Sequence, residues 1–234
     1  MATVTGPPAT VTTVDLQTAS VRDLNAALHT TVGGMAWHVA HPDGAHNLAV
    51  GIDADLDVVI DGHAGYYCAG MNQHATVTVN GNVGVGVAEN MMSGTVRVRG
   101  NASQSAGATA HGGLLVIEGD AAARCGISMK GVDIVVGGSV GHMSAFMGQA
   151  GRLVVCGDAG DALGDSLYEA RIYVKGTVKS LGADCVEKPL RGEHLAELSE
   201  LLKAAGIDEA PAAFRRYGSA RDLYHFKVDN SSAY

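Results

Sequence analysis

The chain has 234 residues and sets 16 Lys and Arg against 24 Asp and Glu, a net charge of −8. That acidity argues against nucleic-acid binding, which needs a basic face to neutralise phosphate. Apolar runs such as Leu114-Leu115-Val116-Ile117 fall far short of the roughly 20 residues that cross a bilayer. The opening Met1-Ala2-Thr3-Val4-Thr5-Gly6 lacks the basic and apolar regions of a secretory leader, so the expectation is a cytoplasmic protein.

In chain order, the first predicted element is a short helix over 21–28, with Ser20 as its N-cap and Asp23 placed as in a capping box. This segment, 1–45, reads as an N-terminal extension that caps the main body of the chain. Residues 46–56 read as an irregular lead-in coil, because Gly51 falls outside the register that begins next.

From there the sequence repeats. Gly62, Gly81, Gly100, Gly119, Gly138, Gly157 and Gly176 are each 19 residues apart. Four and two residues before each glycine the side chain is apolar in every case, from Val58/Ile60 and Val77/Val79 through Leu115/Ile117 to Ile172/Val174. A spacing of two is strand periodicity with one face buried. The residue after the glycine is His63, Asn82, Asn101, Asp120, Ser139, Asp158 or Thr177, six of them types that favour tight turns. Small residues recur three and seven positions past the glycine, with Lys179 breaking the first set in the last repeat.

The 32 glycines, about twice ordinary usage, exclude a helical repeat, and a propeller blade needs about 40 residues. Nineteen residues at roughly 3.3 Å each close one turn of a solenoid, and seven turns at about 4.8 Å stack to roughly 34 Å. The expected fold is all-β: a right-handed parallel β-helix of about seven coils over 46–187. The seven glycines form a structural ladder where backbones approach closely.

Residues 188–234 form a third segment. An amphipathic helix over 193–204 puts Leu195, Leu198, Leu201 and Leu202 on one face and ends before Gly206. Open solenoid ends need covering, so this helix and the first are expected to cap them. The tail carries Phe214, Tyr217, Tyr224, Phe226 and Tyr234, and an aromatic-rich tail docks on something, either this chain or a partner.

Catalytic signatures are missing. No serine elbow opening a helix, no phosphate loop and no HExxH pair is expected from the sequence. Residues 81–86, Gly-Asn-Val-Gly-Val-Gly, imitate part of a dinucleotide fingerprint, but no helix pattern comes after them and the repeat explains the glycines. Cys68, Cys125, Cys156 and Cys185 lack metal-site spacing and read as isolated thiols; His63, His74, His111 and His142 occupy four different repeat positions and do not stack. The expectation is no catalytic, cofactor-binding or metal-ligating residue on this chain.

One stripe points outward. Nine to eleven residues past each glycine lie Met71-Asn72-Gln73, Asn90-Met91-Met92, Thr109-Ala110-His111, Ser128-Met129-Lys130, Met147-Gly148-Gln149 and Ser166-Leu167-Tyr168. Methionine mixed with polar side chains suits an adaptable protein-contact surface. Met91, Met92, Met129 and Tyr168 on this stripe, with Phe214, Arg216 and Tyr217 in the tail, are the candidate interface anchors.

The pattern Gly-x-x-Gly-x-x-x-Gly/Ala, run through seven coils, resembles the GXGXG β-helix domain at the C-terminal end of the glutamate synthase large subunit. It also resembles the subunit of formylmethanofuran dehydrogenase that is built on the same domain. Residues 62–72, 86–94 and 100–113 resemble more closely the free-standing GlxC-type members, which include a subunit of N-methylglutamate synthase. The likeness extends into the tail over 214–221. It implies a non-catalytic scaffold joining two other chains, an amidotransferase-like subunit and a synthase subunit that carries FMN and an iron–sulfur cluster. The implied reaction converts methylamine and L-glutamate to N-methyl-L-glutamate and ammonia. The alternative is a subunit of a formylmethanofuran dehydrogenase or a formyltransferase/hydrolase complex. A further class left open is an independent sugar-binding or acyltransferase-like β-solenoid, which would show hexapeptide periods, and 19 is not a multiple of six.

Overall fold

A computed structural model describes residues 11–222. Among the described residues eleven strands form one sheet: β1 (Val11–Asp15), β2 (Met35–Ala40), β3 (Leu56–Asp61), β4 (Thr76–Val79), β5 (Thr95–Val98), β6 (Leu114–Ile117), β7 (Lys130–Val136), β8 (Ala150–Val155), β9 (Arg171–Val174), β10 (Cys185–Lys188) and β11 (Arg215–Ser219). The spatial order runs β1 to β9 in sequence, then β11, then β10. All pairs through β9 are parallel. This is the stacked parallel solenoid that the 19-residue period predicts.

The apolar pairs account for the core. All fourteen side chains two and four residues before the ladder glycines are inward, none more than 1 % exposed. From β3 to β4 onward the register keeps the period, with Val58 opposite Val77 and Val77 opposite Val96, apart from one shift in β7 between Lys130 and Asp133. A second column of bridges runs Ala64, Val83, Ala102, Ala121, Val140, Ala159, Val178, two residues past each glycine. Each coil is therefore pinned to its neighbours on two sides.

The ladder glycines are needed for space rather than for conformation. Only Gly62 among the seven has a positive φ. A Cβ on Gly81 would lie 2.6 Å from the Gly62 carbonyl, and one on Gly119 would collide with the Asn101 side chain. That side chain is there for a reason. Asn101 Oδ1 accepts from the Asp120 N–H at 2.8 Å, Asp120 Oδ1 from the Ser139 N–H at 2.7 Å, and Ser139 Oγ from the Asp158 N–H at 3.0 Å. The polar residues after the glycines, expected as turn formers, thus form a hydrogen-bonded ladder between coils. His63 Nδ1 begins it by accepting from the Asn82 N–H at 2.9 Å.

The arc that closes each coil is unusual backbone. Five, seven and nine residues past the ladder glycine the chain turns left-handed, as at Tyr67 (φ 59°), Ala69 (53°) and Met71 (55°), and again at Met143, Ala145 and Met147. Such φ values cost about 1–3 kcal/mol each in non-glycine residues. Hydrogen bonds to adjacent coils hold them: Tyr67 N–H to Val85 O, Ala69 N–H to Leu48 O and Met71 N–H to Glu89 O, all within 2.9 Å. The inward middle position stays small because Ile134 and Leu115 crowd it at Gly107.

Sheet and solenoid begin earlier than the 46–187 boundary. Strand β2 adds to β3 with Met35 opposite Leu56, and β1 to β2 with Val11 opposite Ala36. Those offsets are 21 and 25 rather than 19, so insertions conceal the first rungs in the sequence. The helix α1 (Val21–Thr30) packs Leu24 and Leu28 into the core and bonds the first arc through Asn25 Nδ2 to Asn47 O and His29 Nε2 to Val50 O. Its Ser20 hydroxyl caps the Asp23 N–H as expected.

At the other end the division of labour differs from the expectation. The helix α2 (Gly192–Ala205), closed by left-handed Gly206 (φ 69°), does not sit on the end. Its Leu198, Leu201, Leu202 and Ala205 pack with Val116, Val135, Val154 and Tyr173 on the outer face of the sheet. The last parallel edge is taken by β11, which pairs antiparallel with β9, Tyr217 opposite Ile172.

Candidate functional site

The Met-rich stripe lies on the arc, and the arc sorts it by alternation. The residue ten past each glycine points inward: Asn72, Met91, Ala110, Met129 and Leu167 are all 0 % exposed. Met91 and Met129, expected as interface anchors, are therefore core side chains. Their neighbours at nine and eleven share the outward side. Met71 is 44 % exposed, Met92 47 % and Met147 38 %; His111, Lys130 and Gln149 are exposed beside them, and Tyr168 is half-buried. Among the four stripe candidates only Met92 is exposed. The missed residues, Met71 and Met147, carry a legible signal, because strand-like alternation separates a small or apolar central column from its flanks.

Asn72 shows that the inward column is built with care. Its amide donates to Ala75 O at 2.8 Å and Ser93 O at 3.2 Å and accepts from the Ala75 N–H at 3.3 Å. A buried amide so satisfied is structural.

The tail candidates pack on this chain. Phe214 is 3 % exposed beneath α2, and Tyr217 is 2 % exposed in the solenoid core. Arg216 is half-buried and donates to Pro189 O at 3.4 Å. Phe214 and Tyr217 are thus corrected from anchors for a partner to anchors for β11. Beyond them, Arg221 pairs with both oxygens of Glu169 at 2.9 Å, and Ser219 Oγ donates to Asp184 at 2.5 Å. Tyr224, Phe226 and Tyr234 lie outside the described residues.

A second concentration of charge lies where α2 meets the sheet. A cleft of about 380 Å³ is lined by Asp133, Arg152, Glu197 and Glu200. Arg152 pairs with Asp133, Arg171 donates to Glu197 at 2.5 Å, and the Tyr173 hydroxyl donates to the other Glu197 oxygen at 2.7 Å. Burial and the Glu197 bond together push the Tyr173 phenol up from its ordinary value. The Asp133 bond raises the Arg152 guanidinium. These groups hold α2 to the sheet.

The thiols are packed rather than poised. All four cysteines are unpaired, and burial pushes Cys68 and Cys125 up to about 12. A nucleophilic cysteine needs the opposite shift. Among the described residues no group of three His, Cys, Asp or Glu converges as a metal site, and no helix is long and apolar enough to cross a membrane.

Fold and surface together define a parallel β-solenoid protein, with one sheet face helix-covered and one arc face open. Within that class the chain belongs to the GlxC family. It is 62% identical over 225 residues to Protein GlxC of Rhizobium meliloti strain 1021, across 94% of this chain and 99% of that protein. No protein-family model and no solved structure matches it.

Proposed function

We propose that the chain is a scaffold subunit of a glutamate-synthase-like complex, with N-methylglutamate synthase as the specific enzyme. It joins an amidotransferase-like chain to a synthase chain carrying FMN and an iron–sulfur cluster. The complex converts methylamine and L-glutamate to N-methyl-L-glutamate and ammonia, and the chemistry resides on the partners. The resemblance of the repeat stretches to GXGXG subunits motivates the reading. The observation that carries it is how the repeat spends its polar side chains: Asn82, Asn101, Asp120, Ser139 and Asp158 are all committed to the next coil. A molecule built so regularly, with raised thiols inside, is suited to holding other chains in place.

Co-expression tests it. A tagged copy should bring down both other chains in fixed ratio, and the assembly should form N-methylglutamate from methylamine and glutamate. Full assembly and activity of the other two chains without this one would overturn the proposal.

A further inference from the structure

The first turn of α2 is closed by a histidine where an amide would serve. With Arg191 as the N-cap, His194 is the third helical residue, and its Nδ1 accepts from the Arg191 backbone N–H at 3.1 Å. In a capping box that position holds Glu or Gln, whose side chain reaches back to the same N–H. A backbone N–H can only donate, so Nδ1 carries its lone pair and the neutral ring keeps its proton on Nε2. His194 is buried, at 7 % exposed.

The groups facing the ring come from three elements. Arg171 on β9 and Arg216 on β11 bring positive charge, against Glu193 and Glu197 on α2 itself. The helix N-terminus adds its own positive end. Glu193 lies 3.7 Å from Nε2 but is exposed to solvent, and Glu197 is already engaged by Arg171 at 2.5 Å and the Tyr173 hydroxyl at 2.7 Å. Acceptors are scarce as well: Arg216 Nε is buried with no hydrogen-bond partner among the described residues. Burial first, then the Arg216 charge, hold His194 below its ordinary value.

We infer that His194 is an acid-sensitive latch on the first turn of α2. A proton on Nδ1 turns the acceptor into a donor, so two N–H groups face each other and the turn lets go. Farther along, Glu197 with Arg171 and Ala205 O with Arg97 keep the helix on the sheet. The opening is therefore confined to the β10–α2 junction and the first turn. Because the folded chain disfavours this proton, the latch is fully closed above the unfolded imidazole value of about 6.5. Its contribution falls as pH drops below that value, and levels off once the folded ring is itself protonated.

Hydrogen exchange of the full chain, corrected for intrinsic rates, tests the latch locally. Between about pH 7.5 and about pH 5, the amides of residues 191–195 should open by about threefold or more, while Leu201 and Leu202 keep their protection. His38, His41 and His74 lie beside Asp61, Asp15 and Asp53 at the other end of the solenoid, so a local readout separates them from His194. His194→Gln restores the neutral acceptor of a capping box and should abolish the response, with the turn protected at both pH values. His194→Lys, charged throughout, should leave the turn open at both. An equal acid response in the native chain and His194→Gln would overturn the latch. Should that variant fail to fold, ring nitrogen NMR of the native chain still decides. Nδ1 should be bare at neutral pH, and its protonation should track the opening of the Arg191 amide. A protonated Nδ1 in the neutral ring, or an amide that stays protected after the ring is charged, would refute the proposal.

Discussion

Strands β3 to β5 and strands β6 to β9 put the same kind of side chain inward and opposite kinds outward. The central outward residue is Val59, Thr78 and Arg97 in the first group, all half-buried. In the second it is Val116, Val135, Val154 and Tyr173, all 0 % exposed. The first group alternates, as in Thr76-Val77-Thr78-Val79; the second reads as unbroken apolar runs, as in Leu114-Leu115-Val116-Ile117. Alternation marks a sheet with one wet face, and a continuous run marks one covered on both. One repeat thus serves two environments. The inward pair builds the solenoid everywhere, while a single outward position decides where α2 docks.

The largest expected effect comes from placing the same charge in both halves. Val135→Asp puts an unpaired carboxylate under α2 and should cost about 3 kcal/mol or more. Thr78→Asp, at the equivalent open position, should stay within about 0.5 kcal/mol. Urea unfolding of the two variants measures this, and equal losses would mean that α2 does not cover the sheet as described.

The ladder should ignore the division. Gly119→Val drives a side chain into Asn101 and to within 2.9 Å of the Gly100 carbonyl oxygen, an overpacking cost of about 1–3 kcal/mol. Gly81→Val in the open half and Gly157→Val in the covered half should lose similar amounts, since their neighbours crowd them alike. Thermal unfolding that spared one half would locate the ladder's importance in the helix instead.

Arg97 sits on the border. It donates to Ala205 O at 2.8 Å, the end of α2, and to Glu118 at 3.0 Å. Arg97→Ala should cost about 1–2 kcal/mol, and hydrogen exchange should quicken at the last turn of α2 while β3 and β4 keep their protection. Unchanged exchange there would remove Arg97 from the docking of the helix.

The smallest effect concerns the thiols, one in each half. Cys68 and Cys125 are both pushed up to about 12 by burial, so folding favours the neutral thiol. That contribution is fully present below the unfolded thiol's value of about 8.5 and is lost as pH rises toward 12. At a mildly alkaline pH of about 8, below that unfolded value, neither should react with an aromatic disulfide reagent until the chain unfolds, and both should then react together. Faster labelling of Cys68 in the native state would show that the halves differ inside as well as outside.

The repeat, its 19-residue period, the inward pairs, the α1 cap at Ser20 and the α2 stop at Gly206 are all legible in the amino-acid sequence. Each rests on local chemistry: alternation, a hydroxyl at an N-terminus, a left-handed glycine. The unbroken apolar runs from Leu114 onward also announce a second covered face, though not what covers it. The rest was settled only in three dimensions. The two upstream rungs are hidden because their offsets of 21 and 25 break the period that makes the others visible. Strand β11 was invisible because an antiparallel edge partner for β9 arrives from 41 positions past the end of that strand, Arg215 opposite Val174, with no periodicity to announce it. Met91 and Met129 went inside, and Met71 and Met147 outside, because the arc alternates left-handed residues that only neighbouring coils stabilise. Composition told that the stripe was mixed; the direction of each side chain was fixed by hydrogen bonds to the coils above and below.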